Sequence, residues 1–181
     1  MFESGKGESR GTENAPIETI EYKEYPGRIE DIPELGLERG KFEYVGQKGA
    51  GLVTFENTVQ ISEGFSDCVC LLVSNPKNNG KALVHVEPGG LDARKEATLG
   101  KLGPGSKEAI WIRGHYGEIP FNGEAQLKKM FGADNQRSIT VETGEYWWGV
   151  VHKPAENVIL VVTRSPNLIR TYQGFVSKAG R

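Results

Sequence analysis

The stretch FSDCVCLLVSNPKNNGKALVHVEPGG, from Phe65 to Gly90, decides the fold. It contains two runs rich in Val and Leu, CVCLLVS and KALVHVE, with NPKNNG between them. Asn, Pro and Gly between two apolar runs are typical of a chain reversal, so the stretch predicts a β-hairpin. The hairpin carries both cysteines of the chain, Cys68 and Cys70, together with His85.

The register of this hairpin decides which cysteine meets the histidine. Side chains alternate along a strand, so Cys68 and Cys70 share one face. If Ser74 pairs with Asn79, Cys68 lies directly opposite His85, and directly opposed residues have Cβ atoms roughly 4.5–5.5 Å apart. A slip by one pair places Cys70 opposite His85 instead, and the sequence leaves both registers open.

A Cys and a His that face each other are typical of nucleophilic catalysis. The imidazole takes the thiol proton, the thiolate attacks a carbonyl carbon, and the imidazolium protonates the leaving group. Backbone N–H groups of the GFSDC loop are candidates for holding the developing oxyanion. The same residues also fit an ordinary buried hairpin, because a free Cys is often a small core hydrophobe.

The segment GFSDCVCLLVSNPKNNGKALVHVEPG resembles the core motif of the chemotaxis-receptor glutamine deamidases, the CheD family. That motif has Gly-Ser-Cys-Val at the start of a strand, then a hairpin that ends in Ala-His. Here Val69 follows Cys68, ALVH ends at His85, and Ser62 stands where the family has a Thr. Downstream, TVETGEYWWGVVHKPAENVILVV is similar to the family's closing hairpin. FSDC also resembles the Leu-Ser-Gly-Cys motif of the cytotoxic necrotizing factor class of toxins, which deamidate a glutamine of small GTPases.

The resemblance covers about residues 50–163 and implies a role for each matched residue. Cys68 would be the nucleophile, His85 the base, and Ser62 the hydroxyl that orients the imidazole. No cofactor and no metal are implied. The chain departs from the family at Ser62, at Asp67, which replaces a Ser or Gly, and in an N-terminal extension without a counterpart. Asp67 is open to three roles, which are to raise the thiol pKa by repulsion, to contact the substrate amide, or to cap a turn.

The whole chain fits the α+β class, with a central β-sandwich or strongly bent mixed sheet and few flanking helices. Residues 1–16 are polar and rich in Gly, which predicts a disordered arm. Residues 17–47 carry scattered apolar residues, which predicts an extended segment packed on the domain. Residues 48–181 then form the deamidase-like domain, in which strands outnumber helices.

Further elements follow from periodicity. The clearest helix is GEAQLKKMFG, whose apolar residues lie on one side and which stops at Gly132. Strands are predicted for GLVTFENTVQI, AIWIRG, RSITVETG, EYWWGVVHK, NVILVVTRS and TYQGFV. DARKEA is short and mixed in charge, which favours solvated surface.

Several classes of function are not indicated. The net charge is -2 and no block of Lys and Arg occurs, which argues against nucleic-acid binding. No apolar run suits a membrane span or a signal peptide, so a cytoplasmic protein, or one delivered as an effector, is expected. HVEP begins like the His-x-Glu of zinc deaminases, but their downstream Pro-Cys-x-x-Cys is absent. His115 and His152 have no partner at ligand spacing and are expected on the surface or in the core.

The sequence therefore predicts a protein-glutamine deamidase, which converts a glutamine side-chain amide to glutamate and ammonia through a Cys thioester. Its partner would be a receptor or GTPase-like protein that presents the glutamine on a loop. The alternative is a catalytically inert, deamidase-like regulatory module that binds a protein, with Cys68 buried.

Overall fold

The computed structural model describes residues 19–24, 37, 41–105, 107–114, 116–132, 135–140, 148–163 and 171–172. The strands within these residues are β1 (Thr19–Glu24), β2 (Phe42–Val45), β3 (Leu52–Thr54), β4 (Val59–Phe65), β5 (Val69–Asn75), β6 (Gly80–Val86), β7 (Glu108–Arg113), β8 (Asn135–Thr140), β9 (Trp148–Lys153), β10 (Val158–Thr163) and β11 (Thr171–Tyr172). The helices are α1 (Ala93–Gly100) and α2 (Gly123–Phe131), and Pro154–Glu156 forms a short 3-10 turn.

The strands form two mixed sheets. The first has the order β11-β1-β10-β9-β4-β2, with parallel pairs β1/β10 and β2/β4. The second has the order β3-β6-β5-β7-β8, in which only β7/β8 is parallel among the described pairs. The predicted hairpin is confirmed as β5 and β6, which lie in the middle of the second sheet. The α+β class with few helices is confirmed as well.

Apolar side chains of both sheets meet in one core. Phe65, Trp148 and Val150 come from the first sheet, and Cys70 and Leu72 come from the second. The opposite face of β5, β6 and β7 packs against the helices. There, Leu99 of α1 and Leu127 of α2 form a second apolar cluster with side chains of these three strands. The hairpin is therefore covered on both faces, which explains why its strands read as continuous apolar runs.

The two helices had different sequence signals. The predicted helix is confirmed as α2, which ends at Gly132 in the left-handed conformation (φ 60°). Most of DARKEA is exposed, as expected for solvated surface, but the segment also contains the N-cap and first residues of α1, and Lys95 is buried. The Asp92 side chain caps α1 by accepting from the backbone N–H groups of Arg94 and Lys95. Lys95 is buried, since its ammonium pairs with carboxylates.

The single strand predicted for GLVTFENTVQI is two strands, β3 and β4, which belong to different sheets. Near its end β4 carries a bulge between Glu63 and Phe65, at Gly64 (φ 83°). Inward side chains occur at Gln60 and Ser62, and the extra residue brings Phe65 inward too. The bulge thus sets the position of Phe65 in the core.

Part of the predicted organisation lies outside the described residues. This applies to the arm 1–16, to much of the segment 17–47, and to His115, Tyr146 and Trp147. Within 17–47, the described residues include β1 and β2, each of which joins the first sheet. No helix in the described part of the chain is long and apolar enough to cross a membrane.

Candidate functional site

The hairpin register brings Cys70, and not Cys68, opposite His85. The register with Ser74 opposite Asn79 is therefore wrong, and the ladder is shifted by one pair. The reason lies in the turn, where Asn75 pairs with Gly80 and Asn79 adopts the left-handed conformation (φ 58°). The Asn78 side chain accepts the Gly80 N–H at 2.9 Å, which fixes Gly80 as the first residue of β6.

His85 is held by a hydrogen-bond chain that crosses between the sheets. Ser62 Oγ donates to the Val45 carbonyl at 2.8 Å and lies 3.1 Å from His85 Nδ1. Because the only hydroxyl hydrogen goes to Val45, Ser62 Oγ accepts from Nδ1–H. This network assigns the proton of the neutral imidazole to Nδ1 and leaves a lone pair on Nε2. Within the described residues, Nε2 is buried and has no hydrogen-bond partner.

An aromatic stack fixes the plane of the imidazole. The centroid of the Phe65 ring lies 4.1 Å from that of the His85 ring at an interplanar angle of 13°, and the Trp148 ring also stacks on Phe65, at 4.5 Å. All three side chains are fully buried. Trp148 Nε1 is also buried without a hydrogen-bond partner in the described residues. Like His85 Nε2, it is a polar atom of this stack whose hydrogen bond is not made there.

Cys68 lies just before β5, one pair outward from Cys70. It is 2% exposed. The backbone at Gly117 packs closely against the backbone of Cys68, since a Cβ at Gly117 would lie 2.9 Å from the Cys68 carbonyl oxygen. Cys68 is diagonal to His85, and diagonal neighbours in a ladder have Cα atoms roughly 7–8 Å apart.

The hydrogen bonds of Cys68 Sγ lead away from the histidine. Its thiol donates to Asp67 Oδ1 at 3.6 Å, and Gln47 Nε2 donates to Sγ at 3.9 Å. Ser66 Oγ also donates to Asp67 Oδ1, at 2.9 Å. Among the described residues, His85 Nε2 has no partner, so the thiol and the imidazole are not hydrogen-bonded to each other.

The electrostatics favour neutral forms of both groups. The pKa of Cys68 is raised to about 11, chiefly by burial and also by the Asp67 carboxylate, which repels the thiolate and accepts from the thiol. Burial lowers the pKa of His85 to about 4, and Lys95 contributes, while Glu87 and Asp67 oppose the shift. The resting site therefore holds a thiol and a neutral imidazole instead of a thiolate and an imidazolium.

Cys70 is a different kind of thiol. It is fully buried in the core between the sheets, and burial alone raises its pKa. No charged partner contributes to this shift. Although the register places it directly opposite His85, its surroundings are those of a core hydrophobe.

Three residues near the site were not singled out from the sequence, namely Glu87, Lys95 and Gln47. Glu87 lies two residues beyond His85 and pairs with Lys95 Nζ at 2.7 Å, and Lys95 also reaches Asp92 at 3.3 Å. The alternation of β6 was a signal for Glu87, because His85 and Glu87 share a face. Gln47 had no sequence signal, since it approaches Cys68 only through the loop after β2.

His152 lies in a separate place. It is buried, and its Nδ1 is 3.0 Å from Gln60 Oε1. The Gln60 amide donates to the carbonyls of Leu52 and Lys81, so Oε1 accepts from the imidazole. No cluster of three His, Cys, Asp or Glu side chains able to hold a metal occurs in the part of the chain that the structure describes.

No protein-family model matches the chain, and no curated protein matches it.

Proposed function

We propose that this chain is a thiol-dependent protein-glutamine deamidase, with Cys68 as nucleophile, His85 as base and Ser62 as the residue that orients the imidazole. The observation that carries the proposal is the chain Val45 carbonyl–Ser62–His85, which leaves a buried lone pair on Nε2 beside the cysteine strand. A general base needs this tautomer, because Nε2 must offer its lone pair to the thiol proton.

The reaction would begin from neutral groups. Rotation of the Cys68 side chain from Asp67 toward His85 places the thiol near Nε2. As Sγ attacks the carboxamide carbon of a substrate glutamine, the thiol proton moves to Nε2 and the carbonyl oxygen becomes an oxyanion. The imidazolium then protonates the amide nitrogen, the C–N bond breaks, and ammonia leaves.

Hydrolysis of the thioester would complete the cycle. His85 Nε2 takes a proton from water, and the hydroxide adds to the thioester carbonyl. The C–S bond breaks, Cys68 recovers its proton from the imidazolium, and the substrate leaves as glutamate. Each turnover consumes one water and releases one ammonia, without a cofactor.

The substrate would be a protein loop that presents a glutamine. Cys68 is nearly inaccessible at rest, so groups around it would have to move before a substrate could reach the thiol. Asp67 is exposed at the entrance and would accept a hydrogen bond from the substrate amide N–H. The two sheets around the site would form the sandwich of the deamidase-like proteins.

A second candidate function is the inert binding module. The observation that favours it is the state of Cys68, which is buried, has a raised pKa and bonds to Asp67 instead of His85. A module of this kind would bind its partner without turnover.

Mass spectrometry of proteins incubated with the chain distinguishes the two. The probes are a recombinant small GTPase and a chemoreceptor cytoplasmic domain, scored for Gln-to-Glu conversion. The deamidase proposal expects conversion by the wild type and by Cys70→Ala, and none by Cys68→Ser or His85→Ala. Conversion that persists in Cys68→Ser would rule out the proposed nucleophile. Binding of a probe without conversion by any variant would favour the inert module.

A further inference from the structure

A cavity of about 190 Å³ lies at the turn end of the hairpin, away from Cys68. Residues of both sheets line it, including Leu72, Ile110 and Arg137 from the second sheet and His152 from the first. The volume is below that of typical sites for drug-sized ligands, roughly 300–1,000 Å³, and well above the space needed by one water. It therefore suits a small organic molecule.

The strand register explains how the cavity combines an apolar floor with a charged rim. Leu72 pairs with Ile110 across β5 and β7, and both side chains are nearly fully buried. One pair closer to the sheet end, Ser74 lies between Lys81 and Glu108. The floor is thus hydrocarbon, and the rim offers hydrogen-bonding and charged groups.

Arg137 adds a cation next to the apolar floor. It pairs with Ile110 in the parallel β7/β8 ladder, so the guanidinium-bearing side chain is the lateral neighbour of Ile110. It is half-buried, and no ion pair joins it to any residue that the structure describes. A planar guanidinium without a partner matches a carboxylate in geometry and charge.

The charge balance of the rim selects the class of ligand. Lys81 and Arg137 are cationic and Glu108 is anionic, so the charged groups of the lining sum to one positive charge and favour an anion. Hydrogen phosphate has no hydrocarbon part, so it would leave the apolar floor uncovered.

We propose that this cavity is a binding site for a short-chain aliphatic carboxylate, with the carboxylate on Arg137 and the hydrocarbon chain over Leu72 and Ile110. The site is independent of the deamidase proposal, because no residue of the Cys68 site lines it.

The test is a titration of the full chain with sodium hexanoate, followed by the backbone amide signals of Asn79 and Gly80 in NMR spectra. Saturable shifts are expected with hexanoate. Hexanamide, which has the same chain without the charge, and inorganic phosphate should each bind at least about tenfold more weakly. Equal binding of hexanamide would overturn the carboxylate assignment, and the absence of saturable shifts would overturn the site.

Two variants with opposite expected effects strengthen the test. Arg137→Gln should weaken hexanoate binding at least about tenfold, whereas Glu108→Gln should strengthen it severalfold by removing a repulsive charge. Arg94→Gln is the matched control, because Arg94 is an exposed arginine on α1 outside the cavity lining, and it should bind like wild type.

The contrary outcomes are equally distinct. Unchanged binding by a folded Arg137→Gln, or weaker binding by Glu108→Gln, would overturn the proposal. If Arg137→Gln does not fold, Glu108→Gln and the hexanamide comparison decide alone. Cys68→Ser should bind hexanoate like wild type, so loss of deamidation and loss of binding are separate results.

Discussion

At the scale of single residues, the site is defined by which hydrogen bonds are made and which are not. Ser62 uses its hydrogen on the Val45 carbonyl and its lone pair on His85, so the imidazole has one orientation and one tautomer. Cys68 Sγ is hydrogen-bonded to Asp67 and Gln47, so the thiol is not hydrogen-bonded to the imidazole. Catalysis would require the hydrogen bonds of Cys68 to break while the hydrogen bond between Ser62 and His85 persists.

The role of Ser62 is tested by removing its hydroxyl. Ser62→Ala leaves the buried Nδ1–H and the Val45 carbonyl without their partner, so the tautomer is no longer fixed. We expect deamidation to fall at least about tenfold. Ser62→Thr restores the hydroxyl and should retain most activity. Imidazole nitrogen chemical shifts provide a second readout, and a wild-type shift pattern in Ser62→Ala would contradict the orienting role.

The role of Asp67 is tested through the reactivity of the thiol. Its charge and its hydrogen bond both raise the pKa of Cys68, so Asp67→Asn should lower that pKa and increase the thiolate fraction. In a Cys70→Ala background, we expect Asp67→Asn to speed iodoacetamide labelling severalfold at pH 8, with the rate of both proteins rising with pH. Glu56→Gln, which removes an exposed carboxylate elsewhere, is the control. Equal labelling rates of Cys70→Ala with and without Asp67→Asn would show that this carboxylate does not restrain the thiol.

At the scale of elements, a bulge and a turn position the imidazole. The bulge at Gly64 brings Phe65 onto the face of His85, and the turn with Asn79 sets the ladder that places His85 in the core. Both features use a residue with positive φ, and the site depends on neither residue's side chain directly. The bulge and the turn therefore affect the site only by setting the strand pairings that place Phe65 and His85.

The bulge is tested with a pair of glycine substitutions. A Cβ at Gly64 would meet no atom within 4 Å, but φ of 83° is strained for alanine. Gly64→Ala should therefore destabilise the fold by about 1 kcal/mol or more. Gly100→Ala is the matched control, since Gly100 ends α1 with open space and without positive φ, and it should be neutral or stabilising. Urea unfolding measures both, and equal stability of the two variants would contradict the account of the bulge.

At the scale of the whole molecule, the core between the sheets contains an imidazole that resists protonation. Its surroundings include the Asp67 and Glu87 carboxylates, which favour the charged form, and the Lys95 ammonium and the buried apolar core, which oppose it. Burial is the largest of these contributions, so the stability of the fold is coupled to pH.

The sign of this coupling follows from the lowered pKa. The ordinary pKa of His is 6.5 and that of folded His85 is about 4, so the unfolded chain binds the proton more tightly. His85 therefore favours folding fully above about pH 6.5, and this contribution is lost as the pH falls from 6.5 toward 4, by at most about 3 kcal/mol. The carboxyls of Asp67 and Asp92 have lowered pKa values and titrate below this window.

Urea unfolding across this pH range gives the measurement. Wild type should lose stability between pH 6.5 and 4, and His85→Ala should show a flatter profile over the same range. The difference between the two profiles isolates the imidazole from carboxylates that titrate in both proteins. Parallel profiles would mean that His85 is accessible to protons in the folded state.

Much of the fold could be predicted because local sequence patterns indicated the individual strands and the helix α2. Continuous Val and Leu runs around NPKNNG predicted the β5/β6 hairpin, and the apolar spacing before Gly132 predicted α2. The helix α1 was missed because its face toward the core includes Lys95, whose burial depends on Glu87 and Asp92. The break between β3 and β4 was missed because the alternating pattern continues across it, although β3 and β4 belong to different sheets.

By itself, the sequence determined the α+β class, the hairpin and the residues that could carry chemistry, because these follow from local periodicity and residue type. Only the tertiary structure decided which cysteine faces His85, because a shift of one pair keeps the same faces and therefore the same sequence pattern. Only the tertiary structure joined Ser62 to His85 and Gln47 to Cys68, because these contacts cross between segments whose packing no local pattern specifies. It also set both groups neutral, because burial depends on everything that surrounds a residue and not on its neighbours in the chain.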